Sequence, residues 1–280
     1  MRVPVGVAGL VGVLALAACK ASAPGAPTEA ASTAPAAVAS TAATAIPTIQ
    51  PSTPAAAARK VKDSNDLYVF EYSYPAAAAA IPALKAHFDT ELDRQRAQLA
   101  RDARAAQADA KGSDYEFHAY ESGQEWKVVT DLPGWLSLSS LVSSYTGGAH
   151  PNYGYAGLLW DKGAGRAREV SALFTSDQAL SAAIRRPFCA ALDQQRAQKR
   201  GGSAKLGSGD EFDACLDPLD STVILGSSNH QTFDRIGVLI APYEAGPYAE
   251  GGYEVTVPVT AAVIAAVKPE YRAAFSGGRY

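Results

Sequence analysis

The sequence has few of the residues that build metal centres and disulfide scaffolds. Its 280 residues include three cysteines and four histidines. Three cysteines are too few for a disulfide-rich scaffold and too scattered for a zinc site. The histidines have no spacing typical of metal ligands; they are His87, His118, His150 and His230. We therefore predict that the protein binds no metal and no cofactor.

A strong charge of one sign, a serine nucleophile motif and a repeat are also missing. The formal net charge is only -3, which gives no reason to expect nucleic acid or a strongly anionic surface as a partner. Without a Gly-x-Ser-x-Gly elbow, the sequence does not predict a serine hydrolase. No repeat of solenoid length occurs. The length left after the first sixty residues favours one large domain or two small ones.

The amino-terminal segment has the features of a signal peptide. An apolar run from Val3 to Ala18 follows Met1 and Arg2; about sixteen residues are short for a membrane span, which needs ~20, but suit the apolar core of a leader. The run ends in Leu-Ala-Ala-Cys19, which resembles the lipobox of bacterial lipoproteins. The resemblance implies that the signal peptide, residues 1–18, is removed and that Cys19 is acylated with palmitate or similar chains. Ordinary cleavage that leaves a free thiol is the alternative.

A linker follows the cysteine. Between Ala21 and Ala58 the chain consists mostly of Ala, Pro, Ser and Thr, with Glu29 as its one charge, so it cannot bury enough apolar area to offset the entropy of ordering. We predict a lipidated start and disordered linker over residues 19–65, which hold a domain away from the membrane. Lys20 resembles the residue at this position in lipoproteins sorted to the outer membrane. The expected location is therefore the cell envelope outside the cytoplasm, at the outer membrane if the cell has two membranes.

Folded structure is expected from about Asp66 onward. Aromatic and β-branched residues indicate a first strand over 67–74, and an apolar stripe that includes Leu84, Phe88 and Leu92 predicts a long helix closed by Lys111 and Gly112. Further strands are predicted at 115–120, 125–130, 135–145, 153–161, 167–170, 235–241 and 253–257, and further helices at 171–174, 178–197 and 260–267. Blocks of strands and helices without βαβ alternation indicate the α+β class, here an antiparallel sheet packed with two long helices.

The two remaining cysteines are expected to pair. Cys189 and Cys215 are 26 residues apart, and two cysteines in an exported protein most often form a disulfide. Closing a loop of that length stabilises the fold by ~3.5 kcal/mol in the chain-entropy model. Two reduced, buried cysteines are the alternative.

Two motifs carry a family resemblance. The first is Ser-Tyr-Thr-Gly-Gly-Ala-His-Pro-Asn-Tyr at 144–153, and the second is Ile-Ala-Pro-Tyr-Glu-Ala-Gly-Pro-Tyr-Ala-Glu-Gly at 240–251. In this order they resemble the extracytoplasmic RsiV/PdaC-like domain family, which is shared by the anti-sigma factor RsiV and the non-catalytic part of the peptidoglycan deacetylase PdaC. The resemblance covers roughly 66–275, with an N-terminal part at 66–130 and a C-terminal part at 131–280, and is strongest from Tyr145 onward.

The resemblance implies that the domain binds a partner and does not catalyse a reaction. Only Met1 and Arg2 precede the apolar run, which leaves no room for a sigma-binding segment, and the metal-binding motifs of the deacetylase domain are missing. In the anti-sigma relatives this domain engages lysozyme. The expected function is therefore a non-enzymatic envelope lipoprotein that binds a lysozyme-like muramidase or peptidoglycan, although a domain alone does not fix a ligand.

The two motifs supply the candidate partner-binding residues. These are Tyr145, Gly147, Gly148, His150, Asn152, Tyr243, Glu244, Tyr248 and Glu250. Aromatic faces stack on sugars, and acidic groups complement a basic protein. Each motif can instead be a structural turn. A cell-wall glycan hydrolase that uses Glu244 and Glu250 as its carboxylates, or a purely structural envelope role, is the alternative function.

Overall fold

The described part of the chain has the predicted α+β composition. A computed structural model describes residues 56–202 and 211–278, so the predicted signal peptide, Cys19 and the linker as far as residue 55 lie outside the described residues. Within the described ranges no helix is long and apolar enough to cross a bilayer.

Six strands form the larger sheet, in the order in which they occur along the chain. They are β1 (Arg59–Ser64), β2 (Tyr68–Tyr74), β3 (Tyr120–Asp131), β4 (Trp135–Tyr145), β5 (Asn152–Asp161) and β6 (Arg166–Arg168). All neighbours pair antiparallel except β2 and β3. These two are parallel because the short helix α1 (Ala76–Ala79) and the long helix α2 (Pro82–Ala110) carry the chain back between them.

The α2 helix covers one face of this sheet. Strand β2 alternates between buried and half-buried positions, and its buried side chains are aromatic. Phe88 of α2 packs with a ring-centroid distance of 5.2 Å from Tyr74 and 5.1 Å from Trp126 of β3. Pro82 begins the helix, where a missing N–H costs little. The predicted strand and helix are therefore confirmed.

A second sheet and two further helices form a separate core. Its strands are β7 (Thr222–Gly226), β8 (Arg235–Ile240) and β9 (Tyr253–Pro258), in that order and antiparallel. Helix α3 (Asp177–Lys199) packs on β9, and helix α4 (Ala261–Ala266) packs on α3. Buried side chains recur every fourth residue along α3, at Leu180, Ile184, Phe188 and Leu192, as the sequence pattern predicts.

The predicted disulfide is present. Cys189 of α3 is bonded to Cys215, and their Cα atoms are 5.6 Å apart. The bond attaches the segment that follows the undescribed residues 203–210 to the side of α3. Both cysteines pack against the core that α3 shares with the second sheet.

The structure corrects four predictions. Strand β1 lies inside the predicted linker 19–65, because residues 59–64 pair with β2 through the Asn65 turn. Residues 115–119 form no strand. The larger sheet is mostly antiparallel, as predicted, with β2 and β3 as its one parallel pair, but a second sheet of three strands is also present and includes the unpredicted β7. Residues 170–173 form a 3₁₀ turn.

Candidate functional site

The fold brings the two sequence motifs together. Their aromatic side chains form one group, which we call the aromatic cluster: His150, Tyr153, Tyr243 and Tyr248. The His150 ring lies on the Tyr248 ring with centroids 4.0 Å apart and planes inclined by 23°. The centroids of Tyr243 and Tyr153 lie 5.5 and 6.3 Å from that of Tyr248. The Tyr243 hydroxyl lies 3.5 Å from His150 Nε2, 93 positions away in the sequence, and the Tyr248 hydroxyl donates to the backbone carbonyl of Pro151, 97 positions away.

A glycine turn presents His150. Gly147 and Gly148 lie between β4 and β5 and have φ angles of 90° and 107°. Residues other than glycine rarely adopt such angles. The Tyr145 hydroxyl donates to the Gly148 carbonyl at 3.1 Å and fixes the turn from the end of β4. At the start of β5 the Asn152 side-chain oxygen accepts from the Tyr153 amide at 3.0 Å. Tyr145, the glycines and Asn152 therefore shape the turn, while His150 is exposed on it.

The second motif forms a loop between β8 and β9, which we call the tyrosine loop (residues 241–252). Tyr243 has a φ of 71°, and its amide donates to the Gly246 carbonyl at 3.1 Å. The Glu244 carboxylate accepts from the Ser221 hydroxyl at 2.8 Å and from the Ala241 amide at 3.1 Å. Glu244 thus has a structural role within the loop, in addition to being exposed.

Glu250 is an internal anchor of the same loop. Its carboxylate accepts from the Arg200 guanidinium at 2.8 Å and 3.2 Å and from the Tyr253 hydroxyl. Burial raises the pKa of Glu250, but the hydrogen bonds from Arg200 and Tyr253 and the nearby charge of Lys199 lower it by more, so the pKa lies below its ordinary value. Burial, together with Glu250, raises the pKa of Tyr253 to about 12. The acid of a glycosidase pair needs a raised carboxyl pKa, and the lowered pKa of Glu250 does not suit that role.

Sequence reasoning missed the cations that hold the tyrosine loop. They lie at the carboxyl end of α3: Arg196, Lys199 and, directly after the helix, Arg200. The Lys199 ammonium donates to the Glu250 carbonyl at 2.8 Å and to the Gly252 carbonyl at 2.6 Å, and lies 3.8 Å from the centroid of the Tyr253 ring. The available signal was three basic residues in five positions at a helix end, which is also typical of a solvated helix terminus.

The arrangement suits binding. Tyr243 is 52% exposed, His150 is exposed and Tyr248 is half-buried, so flat aromatic faces are open to solvent and supported by their neighbours. Aromatic faces of this kind stack on sugar rings or on side chains of a protein partner. Among the residues that the structure describes, no group of three or more His, Cys, Asp or Glu side chains is placed to hold a metal ion.

Residues 61–153 match a family model described as deacetylase PdaC. The match runs from β1 to the start of β5 and includes the glycine turn with His150. It falls mainly on the N-terminal part, in which the sequence motifs had indicated the weaker resemblance. The chain therefore contains a PdaC-like domain, as the resemblance implies. PdaC-like domains are extracytoplasmic.

Two solved structures are among those to which the chain is similar. A DUF3298 family protein from Pseudomonas aeruginosa PAO1 is 15% identical over 79% of this chain and 97% of that chain, with a TM-score of 0.49. A member of the same family from Bacteroides fragilis NCTC 9343 is 18% identical over 72% of this chain and 89% of that chain, with a TM-score of 0.45. No curated protein matches the chain.

Proposed function

We propose that the protein is a non-enzymatic lipoprotein of the cell envelope and that its PdaC-like domain binds a lysozyme-like muramidase or peptidoglycan at the aromatic cluster. The observation that carries the proposal is the meeting of two distant motifs in one exposed aromatic surface. His150 comes from the glycine turn, and Tyr243 and Tyr248 come from the tyrosine loop.

The geometry of the cluster supports recognition. Tyrosine rings supply large contact areas with few rotatable bonds, and tyrosine is enriched among the residues that dominate the binding energy of interfaces. Tyr248 is fixed because its hydroxyl donates to the Pro151 carbonyl at 2.6 Å. Exposed carboxylates at Glu244 and Glu254 lie in and beside the tyrosine loop, and they complement the positive surface of a basic muramidase.

The anchor belongs to the same proposal. Acylation of Cys19 would hold the domain at the membrane, and the linker would let it reach the cell wall. Two or three acyl chains give stable attachment where a single chain is marginal.

Binding to lysozyme and to purified peptidoglycan tests the function. We expect the wild-type domain to bind one of them, and the His150→Ala variant to bind at least about tenfold more weakly, as the loss of an interface hot spot does. His87→Ala is the matched control, because His87 is also exposed but lies on α2. A folded wild-type protein that binds neither ligand would contradict the proposal. If His150→Ala and His87→Ala weaken binding equally, the aromatic cluster is not the binding site.

A further inference from the structure

Arg196 is the largest fully buried side chain among the residues described, with 0% of its surface exposed. Its guanidinium connects three segments. One nitrogen donates to the Ala245 carbonyl of the tyrosine loop at 3.0 Å. The others donate to the Asp193 carboxylate at 3.2 Å and to the carbonyls of Asp213 and Ala214 at 3.4 and 3.1 Å.

The disulfide holds the segment that contains Asp213 and Ala214. Asp213 and Ala214 directly precede Cys215, which is bonded to Cys189 on α3. Arg200 strengthens the same connection, because its guanidinium donates to the Asp213 carboxylate at 2.7 Å and to Glu250 of the tyrosine loop. The disulfide thus fixes the segment that supplies acceptors to both Arg196 and Arg200.

Burying an arginine side chain costs free energy, because its charge loses hydration. Replacing a buried ion pair by apolar side chains of similar volume is often neutral or stabilising, since the charges must give up their hydration. What a guanidinium adds is geometry: five N–H donors in a rigid, planar fork. Here the fork fixes the position of Ala245, which is two residues from Tyr243 and three from Tyr248.

We infer that Arg196 is a positioning residue that, with the Cys189–Cys215 disulfide behind its acceptors, holds the tyrosine loop in the conformation that presents Tyr243 and Tyr248. This inference rests on the proposed function for its consequence in binding, but the ordering of the loop can be measured without a partner. A loop that is ordered before it meets its partner loses less entropy on binding.

Amide hydrogen exchange of the tyrosine loop in Arg196→Met tests the inference. Methionine fills much of the volume but provides no donor to Ala245, so we expect exchange in residues 241–252 to be at least about tenfold faster, since the loop opens more easily. Exchange in β2 and α2, which belong to the other core, should stay as in wild type. Arg185→Met is the matched control: Arg185 lies on the same helix and donates to the Cys215 carbonyl at 3.1 Å, but is exposed and should leave the loop unchanged.

Binding adds a second measurement. Whichever ligand wild type binds should bind Arg196→Met at least about tenfold more weakly, and reduction of the disulfide should lower affinity in the same direction. Should Arg196→Met not fold, Arg196→Lys decides, because lysine keeps the charge without the fork: faster loop exchange supports the inference and unchanged exchange overturns it. A folded Arg196→Met with wild-type loop exchange also overturns it. If wild type binds neither ligand, the proposed function fails while loop exchange still decides the positioning role.

Discussion

At the scale of single residues, Tyr243 of the proposed binding surface has a backbone conformation that costs free energy. Its φ of 71° lies in the left-handed region, which costs an L-residue with a Cβ roughly 1–2 kcal/mol. Neighbouring hydrogen bonds maintain it, from the Tyr243 amide to Gly246 and from Ala241 to the Glu244 carboxylate. Strain of this kind persists only where the surrounding structure over-determines the conformation, and Tyr243 is 52% exposed at the aromatic cluster.

Replacing Tyr243 by glycine and by alanine separates the strain from the aromatic contact. Both variants lose the ring and should bind the ligand more weakly. Only glycine relieves the backbone, so we expect Tyr243→Gly to be more stable than Tyr243→Ala by about 1 kcal/mol in urea unfolding. Ala86→Gly on the exposed face of α2 provides the comparison, because glycine there should destabilise by about 1 kcal/mol. An alanine variant at 243 as stable as the glycine variant would show that the position is not strained.

Single residues also mark the limit of prediction from sequence. The glycine turn, His150 and the tyrosines could be identified because glycine and aromatic residues stand out in their motifs. Arg196 could not, since an arginine on a helix is most often solvated, and only the packing of the tyrosine loop onto α3 shows that it is buried. Glu244 and Glu250 were identified as candidates, but their hydrogen bonds to Ser221 and Arg200 give them structural roles in the loop.

At the scale of elements, the long helices and the buried strands could be predicted, and the marginal strands could not. Helices α2 and α3 and strand β2 have a buried face, so hydrophobic residues recur with the period of the element. Strand β1 has no buried position and is ordered by its hydrogen bonds to β2. Strand β7 has five residues, mostly half-buried, and its place is defined by contacts with β8 and the larger sheet rather than by its own pattern.

The packing of α2 on the larger sheet gives a prediction for this scale. Phe88 is fully buried between Tyr74 and Trp126, and replacing it with alanine should lower the free energy of unfolding by about 3–5 kcal/mol, through lost burial and the cavity left behind. The neighbouring His87 is exposed, and His87→Ala should change stability by less than about 0.5 kcal/mol. Chemical denaturation of both variants is the measurement; similar values for the two would mean that α2 contributes little to the fold.

At the scale of the whole molecule, hydrophobic packing explains the described domain, whereas composition is the basis for the predictions about the N-terminal segment. The domain is ordered by two hydrophobic cores, one beneath α2 and one beneath α3. The segment before residue 56 is composed of an apolar run, a cysteine and a chain of alanine, proline, serine and threonine. Its composition predicts that the protein is exported, that Cys19 is acylated, and that the linker holds the domain away from the membrane. Each of these depends on the cell's machinery or on the membrane rather than on packing within the chain.

In the proposed lipoprotein, attachment to the membrane depends on one residue, Cys19. In a bacterial host we expect Cys19→Ala to abolish labelling by palmitate and to move the protein from the membrane fraction to the soluble extracytoplasmic fraction, because the two or three acyl chains that would supply stable attachment are then missing. The double variant Cys189→Ala/Cys215→Ala is the control: it lacks the disulfide but keeps Cys19, and should stay lipidated. Mass spectrometry of the mature N-terminus checks the modification directly, since an unacylated first residue in wild type would exclude the anchor while leaving the binding site on the domain unaffected.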